Sequence, residues 1–269
     1  MALKSTPSIA DRFLRGYLRL GWRGFPRLWA ISGRSSESML HATVANGPVL
    51  ELSPFSLIDS IVLREGYYES EVIDAVVADL DDGVFWDVGA HFGLHAVTAK
   101  FRRPRARVVC FEPSIEMLGR LARNRDLNSL DIEVVGIGLS SRSGLENLFL
   151  GPKGNLGMST LSPWSGACYS GRQIAAVAAG DDLVAMGGVP EPTVMKLDVE
   201  GHEPEVLEGM KRTLRSATLR TVVFEDSTDE ATKTKGILRD AGFRWERLVR
   251  RENTGHSLAN FVARRVSVS

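Results

Sequence analysis

The sequence predicts an α/β chain built on a mainly parallel sheet flanked by helices. Three observations carry that expectation. Short apolar runs alternate with stretches of helical periodicity after about residue 40. A glycine-bearing turn follows the first of the central runs, as a sharp strand-to-helix junction requires. Acids stand at the carboxyl ends of several runs, the edge at which open parallel sheets bind their ligands.

Composition bounds the class. The chain has 269 residues, 43% hydrophobic and 25% charged, enough to bury a core without cross-links and unlike a disordered polymer. Cys110 and Cys168 lack C-x-x-C spacing, so they make neither a disulfide framework nor a zinc site. No His/Asp ligand spacing marks a metal. No run approaches the ~20 apolar residues of a membrane span, and a cytoplasmic chain is expected. Thirty-three Lys and Arg balance thirty-three Asp and Glu, but unevenly along the chain.

Residues 1–40 read as a basic, aromatic, helical extension. Within residues 1–36, Lys4, Arg12, Arg15, Arg19, Arg23, Arg27 and Arg34 face a single acid, Asp11, a charge of +6 that the remainder cancels. From Arg12 to Arg27 the arginines recur every three or four positions, along one side of a helix. Phe13, Leu14, Tyr17, Leu18, Trp22, Phe25, Leu28 and Trp29 lie between them, and Gly21, Gly24 and Pro26 bend or end the helix. Two main expectations follow. Either the helix docks its aromatics on the body and leaves its arginines solvated, or it makes peripheral contact with an anionic membrane surface. An organellar transit peptide is a third alternative. The body, acidic in balance, argues against non-specific nucleic-acid binding.

Residues 41–269 read as one domain. Strands are expected near 84–88, 107–111, 132–135, 193–199 and 221–225. Helices are expected near 70–80, 94–101, 114–124 and 203–214. Residues 137–172 break the rhythm with many Gly and Ser and read as an insertion or lid over the site.

Three strand ends carry chemistry. Asp87-Val88-Gly89-Ala90-His91-Phe92-Gly93 closes one strand and opens a helix. Its spacing is not G-x-G-x-x-G, and Asp87 has the wrong charge for a pyrophosphate but the right one for a cationic sulfonium amino acid. Phe111-Glu112-Pro113 follows, with Glu112 25 residues after Asp87, a spacing at which an acid holds ribose hydroxyls in nucleotide-binding folds. Glu112 could equally cap the next helix. Met195-Lys196-Leu197-Asp198-Val199-Glu200-Gly201-His202-Glu203 is the third. Alternation puts Lys196 and Asp198 on one face, where Lys196 could pair with Asp198 or Glu225 to hold the sheet, or Asp198 could face a ligand.

Together these segments resemble the FkbM family of S-adenosylmethionine-dependent methyltransferases, over roughly residues 50–225. Leu63-Arg64-Glu65-Gly66-Tyr67-Tyr68-Glu69, the pair Asn124 and Asn128, and Ala179-Gly180-Asp181-Asp182-Leu183 extend the likeness. The resemblance implies a class I, Rossmann-like methyltransferase fold, a seven-stranded sheet with its last strand antiparallel. It further implies O-methylation of a sugar, glycolipid or other small natural product, with S-adenosyl-L-methionine as cofactor. Carried over, Asp87, Gly89 and Gly93 line the methionine half of the cofactor, Glu112 holds the ribose, and Asp198 lies near the transferring methyl. Ala90, His91, Pro113 and Ser140 complete the candidate cofactor-binding set. His202, Glu200, Asp198 and Glu225 are the candidates for meeting the acceptor and taking its proton. His95 and His202 depart from the commoner family pattern. The alternatives are a nicotinamide-dependent oxidoreductase on a similar sheet and a non-catalytic cofactor-binding module.

Overall fold

The computed structural model describes residues 9–19, 29–31, 33, 35, 37–44, 47–249 and 258–266. Helix α1 (Ile9–Arg19) packs on the body. It buries Leu14, and the Arg15 guanidinium donates to the carbonyls of Leu63 and Thr43 at 3.0 and 2.8 Å, while Phe13 stays exposed. Trp29 is buried and Tyr17 packs on the core while Arg12 stays exposed, in keeping with docked aromatics and solvated arginines. Arg15, held by two carbonyls, and the exposed Phe13 depart from that division. Lys4, Trp22, Arg23, Phe25, Arg27, Leu28, Arg34 and the helix-bending Gly21, Gly24 and Pro26 lie outside the described residues, as does the Arg19 side chain.

An antiparallel hairpin follows, β1 (Leu40–Thr43) and β2 (Val49–Leu52). Helices α2 (Leu57–Glu65) and α3 (Ser70–Leu80) lead into β3 (Val84–Val88). Then come α4 (Leu94–Arg102), β4 (Arg107–Phe111), α5 (Ile115–Leu127) and β5 (Glu133–Val135). The chain next forms β6 (Gly138–Leu139), β7 (Gly144–Leu150), β8 (Gly171–Ala178) and the short helix α6 (Gly180–Ala185). It closes with β9 (Val194–Leu197), α7 (Glu203–Glu208), β10 (Thr221–Ser227), α8 (Lys233–Asp240), β11 (Phe243–Arg247) and β12 (Leu258–Arg265).

Seven strands form one sheet in the order β11-β12-β10-β9-β3-β4-β5. β12 runs antiparallel to both its neighbours and the other pairings are parallel, the reversed last strand that the resemblance implied. Helices cover both faces, so the central strands are apolar on both sides. Phe85 belongs to one buried cluster with Val97, Val108 and Leu121, whereas Trp86 belongs to the other with Phe111, Met195 and Phe224. Two expected elements are shorter than the sequence suggests: β9 stops at Leu197, and α7 ends at Glu208 before a separate 3-10 turn at Thr213–Arg215.

Residues 137–172 are more than a loop. β7 pairs with β8, and β8 with β6, in a second, three-stranded sheet. The segment between β7 and β8 folds back towards the carboxyl edge of the large sheet. The Asn124 and Asn128 side chains act as a surrogate strand for the hairpin. Asn128 accepts the Val49 N–H and donates to the Val49 carbonyl, and Asn124 accepts the Glu51 N–H. Asn124 also donates to the Phe92 carbonyl at 2.9 Å, so one helix fixes the hairpin and the glycine turn together.

Candidate active site

The carboxyl ends of β3, β4, β9 and β10 border a cleft of about 1030 Å³, open mouth included. Its walls include Asp198, Glu200, His202 and Glu225 from the β9 and β10 side, and Gly89, Ala90, His91, Glu112 and Pro113 from the β3 and β4 side. Gly93 stands just behind, as the cap of α4.

Register builds the centre of the site. Asp87 lies directly beside Lys196 on neighbouring parallel strands, so both side chains leave the same face. The Lys196 ammonium stands 3.6 Å from Asp87 Oδ1 and 3.2 Å from Asp198 Oδ2. It also donates to the Gly89 carbonyl at 3.3 Å. Lys196 therefore binds Asp198, as one expectation had it, with Asp87 as its second partner. Burial lifts the Asp87 carboxyl to about 6 even though Lys196 opposes the rise. Both Asp87 oxygens are buried just behind the cleft lining, with the Lys196 ammonium as their compensating charge.

The glycine turn is set by space as well as by torsion. Gly89 has φ +77°, and a Cβ there would stand 1.9 Å from the Asp198 carbonyl oxygen. Its N–H and that of Ala90 donate to the Phe111 carbonyl. The Glu112 carboxylate accepts the His91 and Ser114 N–H groups, each at 2.8 Å. Both alternatives weighed for Glu112 are thus compatible, since each oxygen keeps a further lone pair after those bonds. Burial pushes its carboxyl up to about 7. Burial, aided by Arg120 and Lys196, pulls the His91 imidazole down to about 3 and keeps it neutral.

The acidic turn after β9 is strained and pinned. Glu200 takes φ +56° and Gly201 φ +91°. The Glu203 side chain caps the turn by accepting the Val199 and Gly201 N–H groups, and burial lifts its own carboxyl to about 7. Thr160 donates to the Glu200 carbonyl at 2.8 Å. The Trp164 indole lies against Gly201, its Nε1 2.8 Å from where a Cβ would stand. Glu200 and Glu225 are both raised well above the usual carboxylate range, first by burial and then by Asp198 and neighbouring glutamates.

His202 is 4% exposed, with both ring nitrogens occupied. Ser162 Oγ lies 2.8 Å from Nδ1 and Ser140 Oγ 3.1 Å from Nε2. The Ser140 hydroxyl spends its one proton on the Glu146 carboxylate at 3.1 Å, so Nε2–H donates to Ser140 and the Nδ1 lone pair takes the Ser162 proton. His202 thereby joins the lid to the acidic turn, and its lone pair is engaged. Ser140 stands behind His202, outside the lining of the cleft, as Asp87 and Gly93 also do.

Several lining residues were not singled out from the sequence. Glu69 takes φ +55° ahead of α3 and faces the cleft with Tyr68, and Ile58 and Leu156 add apolar wall. Glu69 had no signal beyond its place in the lead-in segment. Of Gly157-Met158-Ser159-Thr160, all but Met158 line the cleft. Among the described residues, no group of three or more His, Cys, Asp or Glu is placed to hold a metal ion, and no helix is long and apolar enough to cross a membrane.

Residues 87–245 match the methyltransferase FkbM domain family. The hexuronic acid methyltransferase AglP of Haloferax volcanii is 34% identical over 174 residues, which cover 64% of this chain and 69% of that protein. The AMB antimetabolite synthetase AmbE of Pseudomonas aeruginosa is 48% identical over 59 residues, 22% of this chain and 3% of that protein. Among solved structures, precorrin-6y C5,15-methyltransferase of Geobacter metallireducens superposes with a TM-score of 0.46 at 17% identity, covering 73% of this chain and 88% of that chain.

The sheet order, with one reversed strand and a cleft rimmed by strand-end acids, defines an enzyme of the class I methyltransferase fold. The chain belongs to the FkbM methyltransferase family. Membership of a methyltransferase family sets the nicotinamide-dependent alternative aside.

Proposed function

We propose that the protein transfers the methyl group of S-adenosyl-L-methionine to a hydroxyl of a sugar, glycolipid or other small natural product. The observation that carries this reading is the convergence of Glu112, Asp198, Glu200 and Glu225 on one cleft, with Asp87 buried just behind its wall. The printed activity of the 34% identical relative, a hexuronic acid methyltransferase, supports a carbohydrate acceptor.

The side chains present suit the cofactor. Asp87, paired with Lys196 and buried behind the wall, adds negative charge on the side of the cationic methionine half. Glu112, its geometry fixed by two backbone N–H groups, offers its remaining lone pairs to the ribose. Gly89, Ala90, His91, Gly93 and Pro113 shape the wall between them. When bound, S-adenosylmethionine would supply an electrophilic methyl on a sulfonium, with a neutral thioether as the leaving group.

The chain's own task is to place the acceptor oxygen and remove its proton. Glu200 is the base in this reading: partly buried, high in basicity and held in a strained turn at the cleft. The proton of the acceptor hydroxyl would pass to the Glu200 carboxylate. Asp198 and Glu225 keep the field at the acceptor negative. His202 orients the lid rather than acting as base, because its lone pair already holds the Ser162 hydroxyl. The lid, 137–172, then sets acceptor choice through Ser159, Thr160 and Trp164. Incubation with methyl-labelled S-adenosylmethionine and separate glycan, glycolipid and small-molecule extracts tests the reading. Label is expected in one of these fractions, and absence from all three contradicts it.

A further inference from the structure

His95 is a buried group that takes no part in removing the acceptor's proton. It occupies the first turn of α4, two residues after Gly93, and is 7% exposed while lining the cleft. Its ring lies edge-on to Tyr67, with centroids 6.0 Å apart. A hydrogen bond joins the ring to the Glu69 backbone, yet Nε2 is buried and unpartnered. The bond to a carbonyl therefore uses Nδ1–H. Burial holds the imidazole well below its ordinary value, so the ring is neutral and Nε2 carries a lone pair. In this tautomer Nε2 is an acceptor only.

The surroundings select the donor. Asp87, buried behind the wall, and Asp198 flank Lys196, and Glu69 lines the cleft as a third acid. Two of these acids already exceed the one lysine charge between them, so the field favours a cationic donor. Of the hydrogen-bond donors in S-adenosylmethionine, the ribose hydroxyls belong beside Glu112 and the adenine amine is neutral. The α-ammonium is the cationic one, and a neutral imidazole can approach it without repulsion. We infer that His95 Nε2 accepts a hydrogen bond from the α-ammonium of the bound cofactor, making His95 a cofactor-binding residue specific to this chain's glycine turn. The inference rests on the reading of the cleft as the S-adenosylmethionine site.

The test uses the full chain and S-adenosylhomocysteine, with its analogue lacking the amino group as control. By calorimetry, His95→Leu should weaken S-adenosylhomocysteine about 10-fold or more, as loss of a hydrogen bond to a charged group implies, and leave the deaminated analogue within twofold. His95→Gln, which keeps an acceptor, should lie near the wild type. Equal loss for both ligands, or no loss, overturns the inference. If His95→Leu fails to fold, 15N-histidine spectra of the wild type decide. The His95 Nε2 resonance should move on adding S-adenosylhomocysteine and stay on adding the deaminated analogue, and an unmoved resonance with the former overturns the assignment. Failure of the wild type to bind S-adenosylhomocysteine at all would instead overturn the reading of the cleft.

Discussion

The Asp198 carbonyl oxygen lies 1.9 Å from the point a Cβ on Gly89 would occupy. The two strand ends that form the centre of the cleft are thus in backbone contact, and the contact demands glycine twice, through space and through φ +77°. Gly89→Ala should cost about 2–3 kcal/mol of stability and weaken S-adenosylhomocysteine more than that loss alone explains. Thermal unfolding paired with calorimetry checks both, and a stable variant with unaltered binding would contradict the close approach.

Lys196 neutralises a buried carboxylate that has no other cation beside it among the described residues. Lys196→Met should destabilise the fold by about 3–5 kcal/mol, and Lys196→Met with Asp87→Asn should recover much of that. A double variant no more stable than the single one would show that Lys196 matters for packing alone.

The cleft carboxyls set a pH slope for the cofactor-free protein. Asp87 rises to about 6 and Glu112 and Glu203 to about 7, in each case chiefly through burial. The folded state holds these protons more tightly than the unfolded chain, so their contribution is full below about pH 4 and is lost as pH climbs towards 7. Tm should therefore fall across that window. S-adenosylmethionine, a cation, should bind more tightly as pH rises through 6 to 7, releasing protons, and more steeply than neutral-sulfur S-adenosylhomocysteine. A flat Tm and pH-independent binding would remove these assignments.

Glu200 and His202 are separable by kinetics. Glu200→Gln should lower kcat by about 100-fold or more with cofactor affinity within twofold, and should abolish the rise of rate with pH that deprotonation of the base produces. His202→Ala should cost about 1–2 kcal/mol of stability through its two serine bonds and raise KM for the acceptor, leaving the profile's shape intact. The reverse pattern would return the base role to His202.

What the sequence disclosed followed from period and position. The limits of β3 and β4 and of helix α3 were legible because each is a buried run or amphipathic stretch ended by Asp81 or a strand-end acid. The acids Asp87, Glu112, Asp198, Glu200 and Glu225 were legible as strand ends. The hairpin β1–β2 and the antiparallel β7–β8 pair were not, because their partners are set by side-chain amides of α5 and by a distant return of the chain. Burial of His202 was equally hidden: a histidine in a turn reads as exposed until Ser140 and Ser162, remote in sequence, close over it. The second partner of Lys196 became visible only with the β3–β9 register.

The central claim is methyl transfer to a hydroxyl at this cleft, and the most direct measurement follows methyl-labelled S-adenosylmethionine into a glycan or glycolipid fraction. Wild-type protein should leave label on carbohydrate that survives mild alkali, as an ether does, and Glu200→Gln should leave little. No transfer into any fraction, or label that alkali releases as an ester does, would contradict the account.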